Sequence, residues 1–288
     1  MKYRFMERAG SGFEVMKMCR VLGVSRSGYY NYLRRGLSPR RQENERLVTR
    51  IREIWRTRRR VYGSPRITAE LRSQGHPCGK NRIARLMREN GIRSLMKRRS
   101  RVMTRSDHRL PVAEDLVGRD FTTASINEIW VSDITYIWTW EGWLYLAAVM
   151  DVHNREIIGW ALRDRLTKDL VIESLQKGLR TRTPRAGLIF YSDRGGQYAS
   201  TDVRRLLRMW QVLQSMSGQG SCFDNAVMEL FFSSLKRELV YLETFHTKAQ
   251  ARQSIFEYIE IFYNRQRRHS SLNHKTPLEY YREATQAL

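Results

Sequence analysis

Apolar residues recur at two periods along this chain, and the change of period divides it. From residue 13, "FEVMKMCRVLGVSRSGYYNYLRRG" predicts two helices around Gly23, with Ser25 placed to cap the second. That is a helix–turn–helix outline, with "SRSGYYNYLRR" where a groove-reading helix would lie. A longer helix is expected over "RRQENERLVTRIREIWRTRRR", whose Leu47, Ile51, Ile54 and Trp55 form one stripe suited to a core. "YGSPRITAELRSQGHPCGKNRIARLMRENGI" predicts a second helix pair with Ile67, Leu71, Ile83 and Leu86 inward, broken at Gly75 and ended at Gly91. "MKRRSRVMTRSDHRLP" lacks periodicity and reads as a basic linker suited to lie on a phosphate backbone.

After Pro111 the texture changes to aromatic and β-branched runs. "EIWVSDITYIWTW" and "GWLYLAAVMDVHNREIIGWALRD", interrupted at "EG" and "DVHNR", predict three consecutive strands in a meander. Helical "TKDLVIESLQKGLR" follows, then a short buried strand "GLIFYSD", a helix "STDVRRLLRMW" and a fifth strand in "QVLQSMS". Two further helices are expected over "FDNAVMELFFSSLKRELVY" and "KAQARQSIFEYIEIFYNRQRRH". The order βββαβαβα describes an α/β domain, a mixed five-stranded sheet with helices on its faces. An all-α region precedes it, so the expected division is 1–110 and 111–288.

Composition fits this picture and narrows it. At 288 residues the chain has room for about two domains. The uninterrupted apolar run Trp143 to Met150 falls far short of the ~20 residues a bilayer span needs. "MKYRFMERAG" has no signal-peptide core. Cys19, Cys78 and Cys222 are scattered and odd in number, which suits neither a disulfide framework nor a zinc site and points to a reducing cytoplasm. Charge adds more. Of the net +23, residues 1–110 hold 30 Lys and Arg against 8 Asp and Glu, or +22; residues 111–288 hold 22 against 21. Such an imbalance, dominated by arginine, calls for a polyanion, and nucleic acid is the expected partner. Arg26, Arg34, Arg35, Arg82 and Arg85, on the two helix pairs, are the candidate DNA-contacting arginines.

Three acids stand out by placement. Asp133 lies inside the first strand, where alternation sends Val131, Asp133, Thr135 and Ile137 to one face. Asp193 ends the central strand, and ligands of α/β sheets gather beyond the carboxyl ends of strands. Glu229 sits on a helix starting near Asp224, on the face of Asn225, Phe232 and Lys236, while Val227, Phe231 and Leu235 would pack onto the sheet. Singly, each has a plainer role: a turn cap for Asp193, a salt-bridged strand residue for Asp133, a surface glutamate for Glu229. Asp151 sits where a hairpin turn needs a short acceptor and is assigned to structure. His153 and His269, in turn and tail, are expected to be solvated rather than to act as acids or bases, and Cys222 lacks a companion that would make it a nucleophile. Were the three carboxylates to converge, they would repel unless a cation intervened. Hard oxygen donors suit Mg²⁺ or Mn²⁺, and two ions about 3.5–4 Å apart are a known device for phosphodiester displacement. Lys236 would then face DNA phosphate.

Thirty-five residues separate Asp193 from Glu229, and Asp133 precedes Asp193 by 60 positions. That spacing, with "WVSDITYI", "SDRGGQY", "DNAVMELFFSSLKREL" and "YNRQRRHSSLNHKTPLEYY", resembles the insertion-sequence-three family of bacterial transposases, relatives of retroviral integrases. "MCRVLGVSRSGYYNYL" and "YGSPRITAELRSQG" resemble the family's N-terminal segments, so the likeness covers essentially the whole chain. It implies a ribonuclease-H-like integrase catalytic core and a transposase that cleaves insertion-sequence ends and transfers strands. It further implies that Asp133, Asp193 and Glu229 are metal-binding catalytic acids and that Lys236 touches end DNA. The resemblance suggests a homo-oligomer on double-stranded DNA in a bacterial nucleoid. The chain looks like the family's downstream frame, which makes an upstream-frame protein an expected fusion partner. Two alternatives stay open at this point: a DNA-binding regulator without catalysis, and a plain ribonuclease-H-like nuclease.

Overall fold

The computed structural model describes residues 2–9, 12–34, 38–96, 111–118, 120–218 and 226–286. Arg35, nearly all of the basic linker, and Cys222, Asp224 and Asn225 lie outside them.

Three short helices come first: α1 (Lys2–Ala9), α2 (Val15–Leu22) and α3 (Arg26–Arg34). α2 ends at Gly23, and Ser25 caps α3 by accepting the Gly28 N–H at 3.0 Å, as its position predicted. Met6, Met18, Cys19 and Tyr29 form a small core of their own. α1 was not anticipated: in "KYRFMERA" only Met6 is buried, and Tyr3 and Ala9 beside it on the same face pack against the small core only in part.

α4 (Pro39–Thr57) starts at Ser38, whose hydroxyl takes the Arg41 N–H, with proline in the first turn where its missing N–H does no harm. Leu47, Ile51 and Ile54 are buried as the stripe predicted; Trp55 is only partly covered and donates its indole N–H to the Arg93 carbonyl at 2.9 Å. α5 (Ser64–Ser73) and α6 (Lys80–Glu89) pack beside α4.

The sheet contains β1 (Ile129–Thr139), β2 (Gly142–Asp151), β3 (Ile157–Arg163), β4 (Ile189–Ser192) and β5 (Leu213–Met216), in spatial order β3-β2-β1-β4-β5. The first three form the antiparallel meander, while β4 and β5 run parallel to β1. Parallel neighbours require crossover connections, supplied by α7 (Lys168–Arg182) and α8 (Thr201–Met209). Alternation along β1 then divides the core. Trp130 joins Val171, Leu175, Val203 and Leu207 beneath α7 and α8. Val131 and Ile137 join Val227, Phe231 and Leu235 of α9 (Ala226–Leu235) on the opposite face. That second cluster continues into Leu47, Ile51, Ile67 and Leu71, so α4 to α6 share one apolar interior with the sheet. α9 runs on as a π-helical turn, Lys236–Val240; α10 (Lys248–Phe256) does the same over Glu257–Tyr263, and α11 (Pro277–Gln286) follows. The mixed five-stranded α/β core behind a helical region is the fold class expected. No described helix is long and apolar enough to cross a membrane.

Buried charge ties the helical region, α9 and the tail together. Arg267 donates to both oxygens of Glu238, each at 2.8 Å, Tyr258 donates to the same carboxylate at 2.9 Å, and Arg66 on α5 reaches it at 3.3 Å. Burial opposes the Glu238 charge, but the two arginines reverse that effect and hold its carboxyl below the ordinary value. Glu70, on α5, likewise binds Arg58 and Arg268, and the Tyr62 hydroxyl donates to the Gln266 carbonyl while accepting the Arg268 N–H, both at 2.8 Å. His269 corrects the sequence expectation. Rather than being solvated, it is 8% exposed with its ring against Tyr263, and its Nε2 lies 3.4 Å from an Arg267 nitrogen. Burial, then the Arg267, Arg66 and Arg155 charges, pushes it well below the usual histidine range, so it is neutral.

Candidate active site

The site begins with a register. β1 and β4 pair in parallel as Ile129 with Ile189, Trp130 with Phe190 and Val131 with Tyr191. Two residues beyond the Val131–Tyr191 pair come Asp133, inside β1, and Asp193, just past the carboxyl end of β4 where ligands of such sheets bind. Beneath them lies Tyr198, fully buried, its hydroxyl 2.9 Å from Ser132 Oγ. Burial raises the Tyr198 phenol well above its ordinary pKa, and the Asp133 and Asp193 charges raise it further, so both aspartates lie close to this one ring. Neither Tyr198 nor Ser132 was singled out from sequence; a Tyr five positions after an Asp carries no signal until the loop folds back.

Backbone hydrogen bonds orient the two carboxylates. The Gly195 N–H donates to Asp193 Oδ1 at 2.9 Å, and the Ile134 N–H to Asp133 Oδ1 at 2.7 Å. Asp193 therefore does cap a turn, and the turn is what aims it. A β-carbon at residue 195 would stand 3.0 Å from Asp193 Oδ1 and 3.2 Å from Gln197 Oε1, which explains a glycine there. The loop is fixed further by Arg194, donating to the Ser217 carbonyl at 2.6 Å, and by the Ser217 N–H on the Ser192 carbonyl at 3.0 Å.

Glu229 sits half-buried on α9, the helix packed across β1 by Val227, Phe231 and Leu235. Phe232, three residues on, is buried. Among the described residues no three His, Cys, Asp or Glu side chains form a group ready to hold a metal ion. Asp133 and Asp193 share Tyr198 as a neighbour, and Glu229 stands on the helix that packs across β1. In donor type the residues do fit a hard divalent cation: one carboxylate inside β1, one just past the end of β4, and a third on the helix covering β1.

The remaining candidates are spread widely. Lys236, in the first turn after α9, holds its ammonium 5.5 Å from the centre of the Tyr136 ring. Arg26 and Arg34 are exposed on α3, Arg26 lying 5.9 Å from the Tyr30 ring centre. Arg85 is exposed on α6, 3.9 Å from Glu89, whereas the Arg82 fork is engaged by both oxygens of Glu43 and by Asn44, tying α6 to α4. Asp151 is structural, as expected: buried, it accepts the N–H groups of Asn127 at 2.9 Å and His153 at 3.0 Å in the turn between β2 and β3. His153 is half-buried, 3.1 Å from Thr123 Oγ1 and beside the Tyr280 ring.

Sequence comparison supplies the family. The integrase core domain family matches residues 124–222 and again 229–285, and an HTH-like domain family matches 42–100. The "Insertion element IS600 uncharacterized 31 kDa protein" of Shigella sonnei is 44% identical over 263 residues, 91% of this chain and 97% of its own length. "Transposase InsF for insertion sequence IS3A" of Escherichia coli (strain K12) is 39% identical over 282 residues, 97% of this chain and 98% of its own. A chain of the simian T-cell lymphotropic virus intasome, solved with PP2A regulatory subunit B56 gamma, aligns at 14% identity and TM-score 0.47, covering 76% of this chain and 70% of its own. The chain belongs to the insertion-sequence-three family of transposases, DNA-binding proteins of the polynucleotidyl transferase class that act in DNA transposition.

Proposed function

We propose that this transposase cleaves phosphodiesters at insertion-sequence ends and joins the freed 3′-hydroxyl to another DNA strand, with Asp133, Asp193 and Glu229 as the catalytic acids. The observation that supports this reading is the parallel pairing of β1 with β4, with Asp133 two residues beyond the Val131–Tyr191 pair on one strand and Asp193 two beyond it on the other. Mg²⁺ or Mn²⁺, in a pair held by these carboxylates, would supply activation of the attacking oxygen and stabilisation of the leaving one. The protein's own part is positioning. Backbone N–H groups hold one oxygen of each aspartate, so the carboxylates meet the substrate already oriented. Tyr198, kept protonated, acts as a neutral floor and takes no proton from the reaction. Lys236 faces end DNA, and Arg26, Arg34 and Arg85 contact phosphate from the basic region; two ends are brought together by an oligomer of this chain, with an upstream-frame protein as fusion partner.

The test compares the purified chain with Asp193→Asn on labelled end DNA, with and without Mg²⁺. The parent should cut and join only with the metal, and the variant should do neither. Equal product from both proteins overturns the assignment of the acids.

A further inference from the structure

The sheet carries an aromatic surface beyond the edge of its helical cover. On the face of β1 that buries Trp130, the next positions outward are Tyr136 and Trp138, paired across the strands with Tyr145 and Trp143. Tyr136 is 41% exposed, Trp138 54% and Trp143 47%, three large rings left open to solvent on neighbouring strand positions. The rings are ordered against one another: Trp138 meets Trp143 edge to face at 4.9 Å between centres, and Trp143 meets Tyr136 likewise at 5.8 Å. Positive charge borders them. Lys236 stands over Tyr136, and Arg163, itself paired with Glu173, is the β3 partner of Tyr145.

We infer that this surface is a binding site for unpaired bases at the end of a DNA strand. Exposed faces of Trp and Tyr flanked by cations are what single-stranded nucleic acid requires, since every base offers a π-face and every linkage a phosphate. A protein helix would call for aliphatic side chains, of which the patch has none. A second copy of this surface would bring like cations together. Tyr136 follows Asp133 by three residues, about 10 Å along the strand and on its other face, and Lys236, two turns after Glu229, reaches the Tyr136 ring at 5.5 Å. The inference rests on the reading that the reacting phosphodiester lies at the aspartates, and it assigns to the neighbouring strand the task of holding the frayed end.

The experiment uses the full chain, a labelled 20-nucleotide thymidine oligomer and a blunt duplex of the same length. The double variant Trp138→Ala with Trp143→Ala should bind the oligomer at least about 10-fold more weakly, since each stacked base is worth about 5- to 150-fold. Duplex affinity should change by less than about 2-fold, and Trp138→Phe with Trp143→Phe should restore most of the oligomer binding. Unchanged oligomer affinity, or parallel losses on oligomer and duplex, overturns the site. A fall in sedimentation from dimer to monomer, with oligomer affinity retained, assigns the surface to a second copy instead. Asp193→Asn separates the two readings: it should lose cleavage while keeping full oligomer binding, and cleavage by that variant would sink the catalytic assignment without touching this one.

Discussion

Replacing Glu238 by glutamine tests how the helical region, α9 and the tail are held together. The substitution keeps the volume and removes the charge on which Arg267 and Arg66 converge. Arg66 has a partial escape, with 22% of its side chain exposed. Arg267 has none: at 7% exposure it is left with a neutral amide oxygen at position 238, the Ser234 hydroxyl at 3.0 Å, the Tyr263 ring and neutral His269, and no counter-charge among these. Removing one partner of a buried ion pair typically destabilises by about 3–5 kcal/mol, because the other charge stays behind unpaired. At about 2–4 °C per kcal/mol for a chain approaching this size, the melting temperature should fall by roughly 10 °C. Thermal unfolding followed by circular dichroism, with urea midpoints alongside, reads the change. The double variant Glu238→Leu with Arg267→Met should be more stable than Glu238→Gln, since apolar replacement of a whole pair is often neutral. The sign with pH follows from the lowered carboxyl: its contribution is complete above the ordinary glutamate value of 4.5 and is lost as pH falls through the lower folded value. Glu238→Gln should therefore lack that acid limb. A variant within about 1 kcal/mol of the parent, or a double variant less stable than the single, refutes the reasoning.

Two other outcomes follow from the geometry. Gly195→Ala puts a β-carbon 3.0 Å from Asp193 Oδ1, so cleavage of end DNA should drop on the order of 10-fold or more while the melting temperature moves by only a few degrees. Because His269 is neutral when folded and has an ordinary unfolded value of 6.5, stability should be intact above that pH and decline below it, by up to about 1.4 kcal/mol per unit. The charged groups around it, Arg267, Arg66 and Arg155, are cations in this range, so urea midpoints of His269→Gln should flatten that slope, and an unchanged slope removes histidine as its cause.

Local periodicity made most of the fold legible. β1 to β3 alternate and break at short turns, α4 shows its stripe, and Ser25 and Gly23 mark a helix boundary by residue chemistry alone. The aspartates were legible because each ends or interrupts an apolar run. What escaped depends on contacts between distant segments. Tyr198 meets Ser132 across 66 positions and Glu238 meets Arg267 across 29. In the sequence Glu238 is one acid in the charged run "LKREL", and nothing local says it is buried. His269 failed for the same reason: a histidine in a polar tail looks solvated until Tyr263 and Arg267 close over it. The aromatic hairpin was read as strand, correctly, but which of its rings stay outside depends on where α7 ends.

The salt-bridged junction also sets an order on biosynthesis. Arg66 is made early, Glu238 172 residues later, and Arg267 another 29 after that. While the chain emerges at about 5–20 residues per second, α5 and the end of α9 must wait for the tail before their charges are matched. A nonsense codon between Glu238 and Arg267 yields a polypeptide with Glu238 and Arg66 lacking their third partner. Closure of the junction is thereby coupled to translation through residue 267.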